Sequence, residues 1–386
     1  MTDESESVGS NPLNEATSAA GRPLPDEIIG LCLSGGGYRA MLFHVGSLWR
    51  LYEAGLLGQV GRISSVSGGS ITAGQLALSW QRLFANPQPD VETFRTLVCD
   101  PICNLASHTI DIMAGAAGLL VPGAAGKIIA KLYGKYLYGT STLHDFPDTP
   151  RFVINATSLQ SGVLWRFTKR YIADYRVGRI DNVAVAVSRA VAASSAFPPM
   201  LSPVTLTLDP KTVTKLPGSD LYRPPFTSKA VMADGGVYDN LGLETVWKRC
   251  RTVLVSDAGG HFGAQAHPKF DWPRQTFRVL DLIDSQVRSL RSRQLIASYR
   301  QSPTHPDHRE GTYWGIRTEI SKYPAAHFPV TTEETARLAS IPTRLKKLPD
   351  KLQKRLINWG YAVCDAAIRS YWKPNLPVPP NLPFVV

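Results

Sequence analysis

Residues 62–83 constrain the fold more than any other stretch of this chain. The short run Arg62-Ile63-Ser64-Ser65-Val66 has the apolar and small character of a β-strand, and a helical pattern runs from Gly68 to about Leu83. Between them stand Ser67, Gly68 and Gly69. A strand that turns directly into a helix through a serine flanked by small residues is the layout of a nucleophile elbow, a tight turn that lifts a hydroxyl above the edge of a sheet. Small neighbours are required because the strained turn leaves no room beside the nucleophile. The common pattern is G-x-S-x-G, and Ser65 takes the place of its first glycine. An elbow of this kind implies strand–helix alternation around it and an acyl-transfer serine.

The rest of the chain is consistent with that architecture. Ile28 to Leu33 is an apolar run suited to a buried parallel strand. Ser34-Gly35-Gly36-Gly37 follows it, and a helical pattern then runs from Tyr38 to Ala54 with Gly55 as its stop. Further strand candidates are 152–156, 230–233, 252–256 and 313–320, with helical segments between most of them. The expected fold is α/β, a three-layer sandwich with a mostly parallel central sheet flanked by helices and a helical C-terminal extension. With 386 residues the chain can bury a large core. The expected division is a disordered tail over 1–24, a catalytic domain over 25–260 and a helical C-terminal region over 261–386, rich in Arg and Trp and ending in a proline-rich tail that is docked or extended.

Within the catalytic part, 101–139 stands apart. Met113 to Gly126 is free of charge and rich in Gly and Ala. Lys127, Lys131 and Lys135 then follow at four-residue spacing with apolar residues between them. An amphipathic helix with a basic edge suits either an anionic membrane surface or the cover of an apolar site, and it equally suits core packing with the lysines in water. The formal net charge of +11 favours anionic partners. Five scattered cysteines make neither a disulfide framework nor a zinc site, which fits a reducing cytosol. The N-terminus lacks the basic start and apolar run of a signal peptide, and no apolar run of 18 residues occurs, so no transmembrane helix is expected.

Three consecutive glycines opening a helix expose backbone amides at its positive end, where they can hold a phosphate or a developing oxyanion. Gly35 to Ala40 also satisfies G-x-G-x-x-G/A, but the second strand ends in Val66-Ser67-Gly68-Gly69 without the carboxylate that dinucleotide binding requires. No Lys-Ser/Thr pair follows the glycines, so a P-loop is excluded as well. The oxyanion role remains for Gly35, Gly36 and Gly37. None of the eight histidines is marked by its position as a general base, and His44 falls inside the first helix as a packing residue. The better base candidate is Asp234, at the end of an apolar strand and followed by Gly235 and Gly236. Asp257, also at a strand end and followed by Ala258-Gly259-Gly260, is its rival.

Taken together, Gly35-Gly36-Gly37-Tyr38-Arg39, Ser65-Val66-Ser67-Gly68-Gly69, Ala193-Ser194-Ser195-Ala196-Phe197-Pro198-Pro199 and Asp234-Gly235-Gly236 resemble, in order, the motifs of bacterial patatin-like phospholipases. The resemblance spans about residues 28–240. It implies a Ser67–Asp234 dyad, an acyl-enzyme on Ser67, an oxyanion site at Gly35, Gly36 and Gly37, and supporting roles for Arg39, Gly69, Gly235 and Gly236. It further implies fatty acyl esters of glycerophospholipids as substrate, with smaller acyl esters or thioesters as the alternative and an inactive lipid-binding scaffold as a remote one. No metal or organic cofactor is implied. The expected partner is a phospholipid membrane surface, from a cytoplasmic location at the inner membrane face. Some bacterial relatives are similar to effectors gated by a cyclic nucleotide, so such an activator is a further expectation; DNA or RNA is not.

Overall fold

The computed structural model describes residues 25–111, 123–260 and 262–386. The expected tail over 1–24 and most of the charge-free stretch before Lys127 lie outside them. The sheet begins with β1 (Asp26–Leu33) and β2 (Val60–Val66), linked by helix α1 (Gly37–Glu53); α2 (Gly68–Leu83) follows β2 directly. After α3 (Ala124–Tyr133) come β3 (Arg151–Ser158), β4 (Leu164–Phe167), β5 (Tyr171–Asp174) and β6 (Gly178–Asp181). Helix α4 (Val187–Ser194) leads to β7 (Val204–Thr207) and β8 (Lys229–Asp234), then to the short helices α5 (Gly236–Asp239) and α6 (Glu244–Trp247) and to β9 (Cys250–Asp257). The long α7 (Trp272–Tyr299), β10 (Glu310–Gly315) and α8 (Asp350–Tyr371) complete the outline.

The strand order is β10-β9-β1-β2-β3-β4-β5-β6, parallel from β10 to β3 and antiparallel beyond, with β8 paired antiparallel to β3 and β7 to β8. Strand alternation sorts the side chains into two layers. Leu31 and Leu33 point into a large core with α1, α2, α4 and α8, whereas Cys32, Val253 and Val255 point to a smaller one with Val246 of α6 and Leu295 of α7. The C-termini of β1, β2 and β9 meet at one edge, where ligands bind in open parallel sheets.

The antiparallel meander β4–β6 escaped sequence reading because its four-residue strands carry Arg166 and Arg179 among turn residues. The C-terminal region is not wholly helical. β10 covers 310–315 rather than 313–320 and extends the sheet next to β9. Helix α8 lies across α1 so closely that a Cβ on Gly46 would stand 1.8 Å from the Ile357 carbonyl oxygen, and one on Gly360 1.9 Å from that of Phe43. The crossing is fastened by Asp365, which accepts from Arg50 Nε at 2.8 Å and from Arg369 Nη2 at 2.6 Å, all three buried. The proline-rich tail is docked: the Asn358 amide exchanges two hydrogen bonds with the Phe384 backbone, and Arg50 donates to the Pro377 carbonyl.

Lys127 and Lys131 of α3, and Lys135 in the helical turn that follows it, are at the surface, while Ile129 and Tyr133 are buried against the core. This is a core-packed helix with a basic outer edge. No helix among the described residues is long and apolar enough to cross a membrane.

Candidate active site

Ser67 sits between β2 and α2 with φ 52° and ψ −119°, one of two non-glycine residues with positive φ among those described. Such a conformation costs of order 1–3 kcal/mol and persists only where the surroundings impose it. Here they do. The Ser67 amide donates to Ser194 Oγ at 3.0 Å, and that hydroxyl donates in turn to the Asn155 carbonyl at 2.6 Å. A Cβ on Gly68 would lie 2.2 Å from the Gly37 carbonyl oxygen, and one on Gly69 2.4 Å from that of Leu33, so only glycine permits the elbow to press on the loop after β1. Ser65 is tolerated where a glycine is usual because its side chain points away from this contact, accepting from Ser70 Oγ at 3.0 Å.

Asp234 ends β8 across the site, anchored by its amide to the Ala196 carbonyl at 2.9 Å while Gly235 donates to the Ser194 carbonyl at 3.1 Å. Residues 194–196 therefore hold the serine turn and the aspartate turn in one frame. The Asp234 Oδ1 accepts from the Gly236 amide at 2.7 Å, and its buried Oδ2 has no hydrogen-bond partner among the described residues. Burial pushes the Asp234 pKa up to about 7. The Gly236 amide and the Ser67 hydroxyl oppose that rise, and the charge of Asp284 adds to it. Ser67 is thus close enough to act on this carboxyl, although the contact is looser than a formed hydrogen bond. Such contacts commonly tighten only when substrate is bound.

The glycine loop lies against Ser67; a Cβ on Gly35 would come 3.1 Å from the Ser67 Cβ. Its three amides are not equivalent. That of Gly35 is already engaged, donating to the Asn240 backbone oxygen at 3.0 Å and to Asn240 Oδ1 at 3.1 Å. Those of Gly36 and Gly37 donate to no described residue. Their φ values of 143° and 61° are open to glycine and strained for any other residue. Asn240 is itself fixed, its Nδ2 donating to Asp284 Oδ1 of α7 at 2.9 Å. Neither Asn240 nor Asp284 was marked in the sequence, since no local pattern links them to the loop they brace.

Arg39 is buried and braces the loop structurally: Nε donates to the Ala258 carbonyl at 3.1 Å, Nη2 to Thr343 Oγ1 at 3.0 Å and Nη1 to the Ile341 carbonyl. His44 is packed as expected, between Ser256 Oγ at 2.8 Å and the Ser34 carbonyl at 2.9 Å, with its pKa lowered to about 4 by burial. The rival carboxylate, Asp257, is saturated. It accepts from the Gly259 amide at 2.8 Å and Tyr313 Oη at 2.6 Å, with Arg288 Nη1 at 3.8 Å. Burial would raise its pKa, but Arg288, the Tyr313 hydroxyl and the Gly259 amide outweigh that and hold it below the ordinary value.

Beside Ser67 opens a pocket walled by Gly37, Phe197, Met200, Leu201 and Leu345 and mainly apolar. Phe197 and Met200 are also exposed at its mouth. Thr343, Arg344 and Leu345 complete the wall from the far end of the chain. The Arg344 carbonyl accepts the Tyr38 amide at 3.0 Å, and its guanidinium meets Asp111 at 2.6 Å. This contribution carries no motif and was invisible in the sequence.

The arrangement can be set beside known proteins. A likeness to human GIVD cytosolic phospholipase A2 has 13% identity and a TM-score of 0.49, covering 88% of this chain and 60% of that one. The same human protein in complex with methyl gamma-linolenyl fluorophosphonate gives 14% identity and a TM-score of 0.49 over 88% of this chain and 57% of that one. VipD from Legionella pneumophila gives 15% identity and a TM-score of 0.35 over 90% and 73%. The chain thus spans about three-fifths of the human protein's length. No curated protein matches significantly. The family model for patatin-like phospholipase matches residues 31–247, which hold the glycine loop, the serine elbow, residues 194–196 and Asp234. The chain belongs to the patatin-like phospholipase family.

Proposed function

We propose that the protein is a lipid acyl hydrolase that works through a Ser67–Asp234 dyad. The observation that carries this reading is a serine forced into a strained elbow beside a buried carboxyl of pKa about 7, with the glycine loop, two of whose amides have no partner among the described residues, against the serine. Ser67 Oγ attacks the ester carbonyl carbon as its proton passes to Asp234. The negative charge that develops on the carbonyl oxygen is met by the amides of Gly36 and Gly37, since that of Gly35 is committed to Asn240. One donor of this kind contributes about 3–4 kcal/mol in comparable sites. Collapse of the tetrahedral species expels the alcohol, which recovers the proton from Asp234. Water activated by the same carboxylate then hydrolyses the acyl-enzyme. An aspartate of ordinary pKa is a poor base near neutrality, and desolvation is what makes this one competent.

The apolar pocket suits the acyl chain, and the exposed Phe197 and Met200 at its mouth suit contact with a lipid surface. Vesicles of mixed glycerophospholipids incubated with the wild type are expected to release free fatty acid, detected by mass spectrometry. Ser67→Ala is expected to lower the rate to that of a protein-free blank. Cleavage of short p-nitrophenyl esters with intact phospholipids would instead favour smaller acyl substrates.

A further inference from the structure

Helix α7 is amphipathic in the wrong sense for a monomer. Its side toward the body is held largely by polar and charged groups: Asp284 accepts from Asn240, Arg288 donates to the Gly260 carbonyl, and Arg291 pairs with Asp239 and Glu244. Leu295 is the apolar residue buried there. At 100° per residue, Trp272, Val279, Ile283 and Leu290 fall within about 20° of one line on the opposite side. They are 78%, 47%, 53% and 59% exposed, with Leu280 and Leu282 exposed on either flank and Phe270 just before the helix. These side chains expose apolar surface on the order of several hundred Å², more than monomers ordinarily leave in one patch. It approaches the roughly 800 Å² that each partner contributes to a standard interface.

We infer that this face is covered by the same helix of a second copy of the chain, lying antiparallel. The stripe is self-complementary about residue 281. Trp272 and Leu290 are equidistant from that point, as are Thr276 and Gln286, Val279 and Ile283, and Leu280 and Leu282. An antiparallel partner in that register sets apolar on apolar and polar on polar at every step, as an isologous contact requires, residue i meeting j and j meeting i. The alternating spacing of four and three along 272, 276, 279, 283, 286 and 290 is the knobs-into-holes repeat of paired helices. No charged side chain interrupts the stripe, so like charges do not oppose self-pairing. An anionic membrane finds no basic residue at these positions.

Sedimentation velocity tests the pairing. At about 20 µM chain, above the dissociation constant that an interface of this area commonly supports, the wild type is expected to sediment as a dimer. Ile283→Glu and, independently, Leu290→Glu each set carboxylates in the apolar seam and are expected to weaken the dimer on the order of 100-fold. Both positions are more than half exposed on the single chain, so each variant is expected to stay folded, with a wild-type circular dichroism spectrum. The double change Thr276→Glu with Gln286→Lys brings opposite charges together only in the antiparallel register, and the dimer is expected to persist. A monomeric wild type overturns the inference, including one that binds vesicles through Ile283. So does a dimer indifferent to both single glutamate substitutions, or a dimer lost in the double variant.

Discussion

Asp234→Asn is expected to lower kcat by roughly 10²–10⁴-fold, the range that a positioned general base contributes, while Asp257→Asn keeps most of the activity. Their effects on stability should run in opposite directions. Asp234 holds its proton in the folded state up to about pH 7, whereas the unfolded chain releases it near 4. Between those values the folded state binds more protons. Wild-type stability therefore falls as pH rises through this window, and the cost is fully present above it. Asparagine escapes that cost, so the Asp234→Asn protein should gain on the wild type as pH rises from 4 to 7, by up to about 4 kcal/mol, and hold the gain above 7. Asp257→Asn leaves the buried Arg288 without its carboxylate and should lose stability, by about 3–5 kcal/mol. Steady-state hydrolysis with melting curves across about pH 4–9 reads both. An active Asp234→Asn, or an Asp257→Asn that is folded but dead, would reverse the assignment of the base.

The second large effect concerns the crossing of α1 and α8. A Cβ added to Gly360 would lie 1.9 Å from a backbone oxygen of α1, and backbone cannot move aside as a side-chain tip can. Leucine there must drive the helices apart along a buried face that includes Phe43, Ile357 and Tyr361. Overpacking commonly costs about 1–3 kcal/mol, and a branched residue set against the Phe43 backbone belongs at or beyond the top of that range. Gly360→Leu is therefore expected to yield insoluble protein or a melting temperature lowered by many degrees. Lys351→Leu serves as the control, since it adds the same side chain at an exposed position in the first turn of the same helix. A wild-type melting curve for Gly360→Leu would mean that α8 is not seated on α1 as described. Activity should fail with the fold, because α1 carries the glycine loop at its N-terminus.

These two results mark the boundary of what the sequence discloses. Ser67, the glycine loop and the Asp234 turn could be read because their chemistry demands local geometry: glycines where Cβ atoms would collide, and a serine between strand and helix. The strands at 26–33, 60–66, 151–158 and 250–257 were legible as apolar runs of the right length. What the sequence hides is long-range. Asn240 reaches the loop across 205 positions of chain, and Asp284 reaches Asn240 across 44. Thr343–Leu345 wall the pocket from beyond β10 without any signature. Gly46 and Gly360 inside helical patterns look like weak points until the two helices are seen to cross at them. In α7 the apolar period is plain, but periodicity alone does not say which face meets the body.

The dyad itself is tested most directly by the rate at which a fluorophosphonate labels the protein as a function of pH, with the adduct mapped by peptide mass spectrometry. The adduct should lie on Ser67. The labelling rate should climb as Asp234 loses its proton and level off above about pH 7, and Asp234→Asn should abolish that limb. An adduct on another residue, or a rate on Ser67 that ignores pH across this range, would contradict the account.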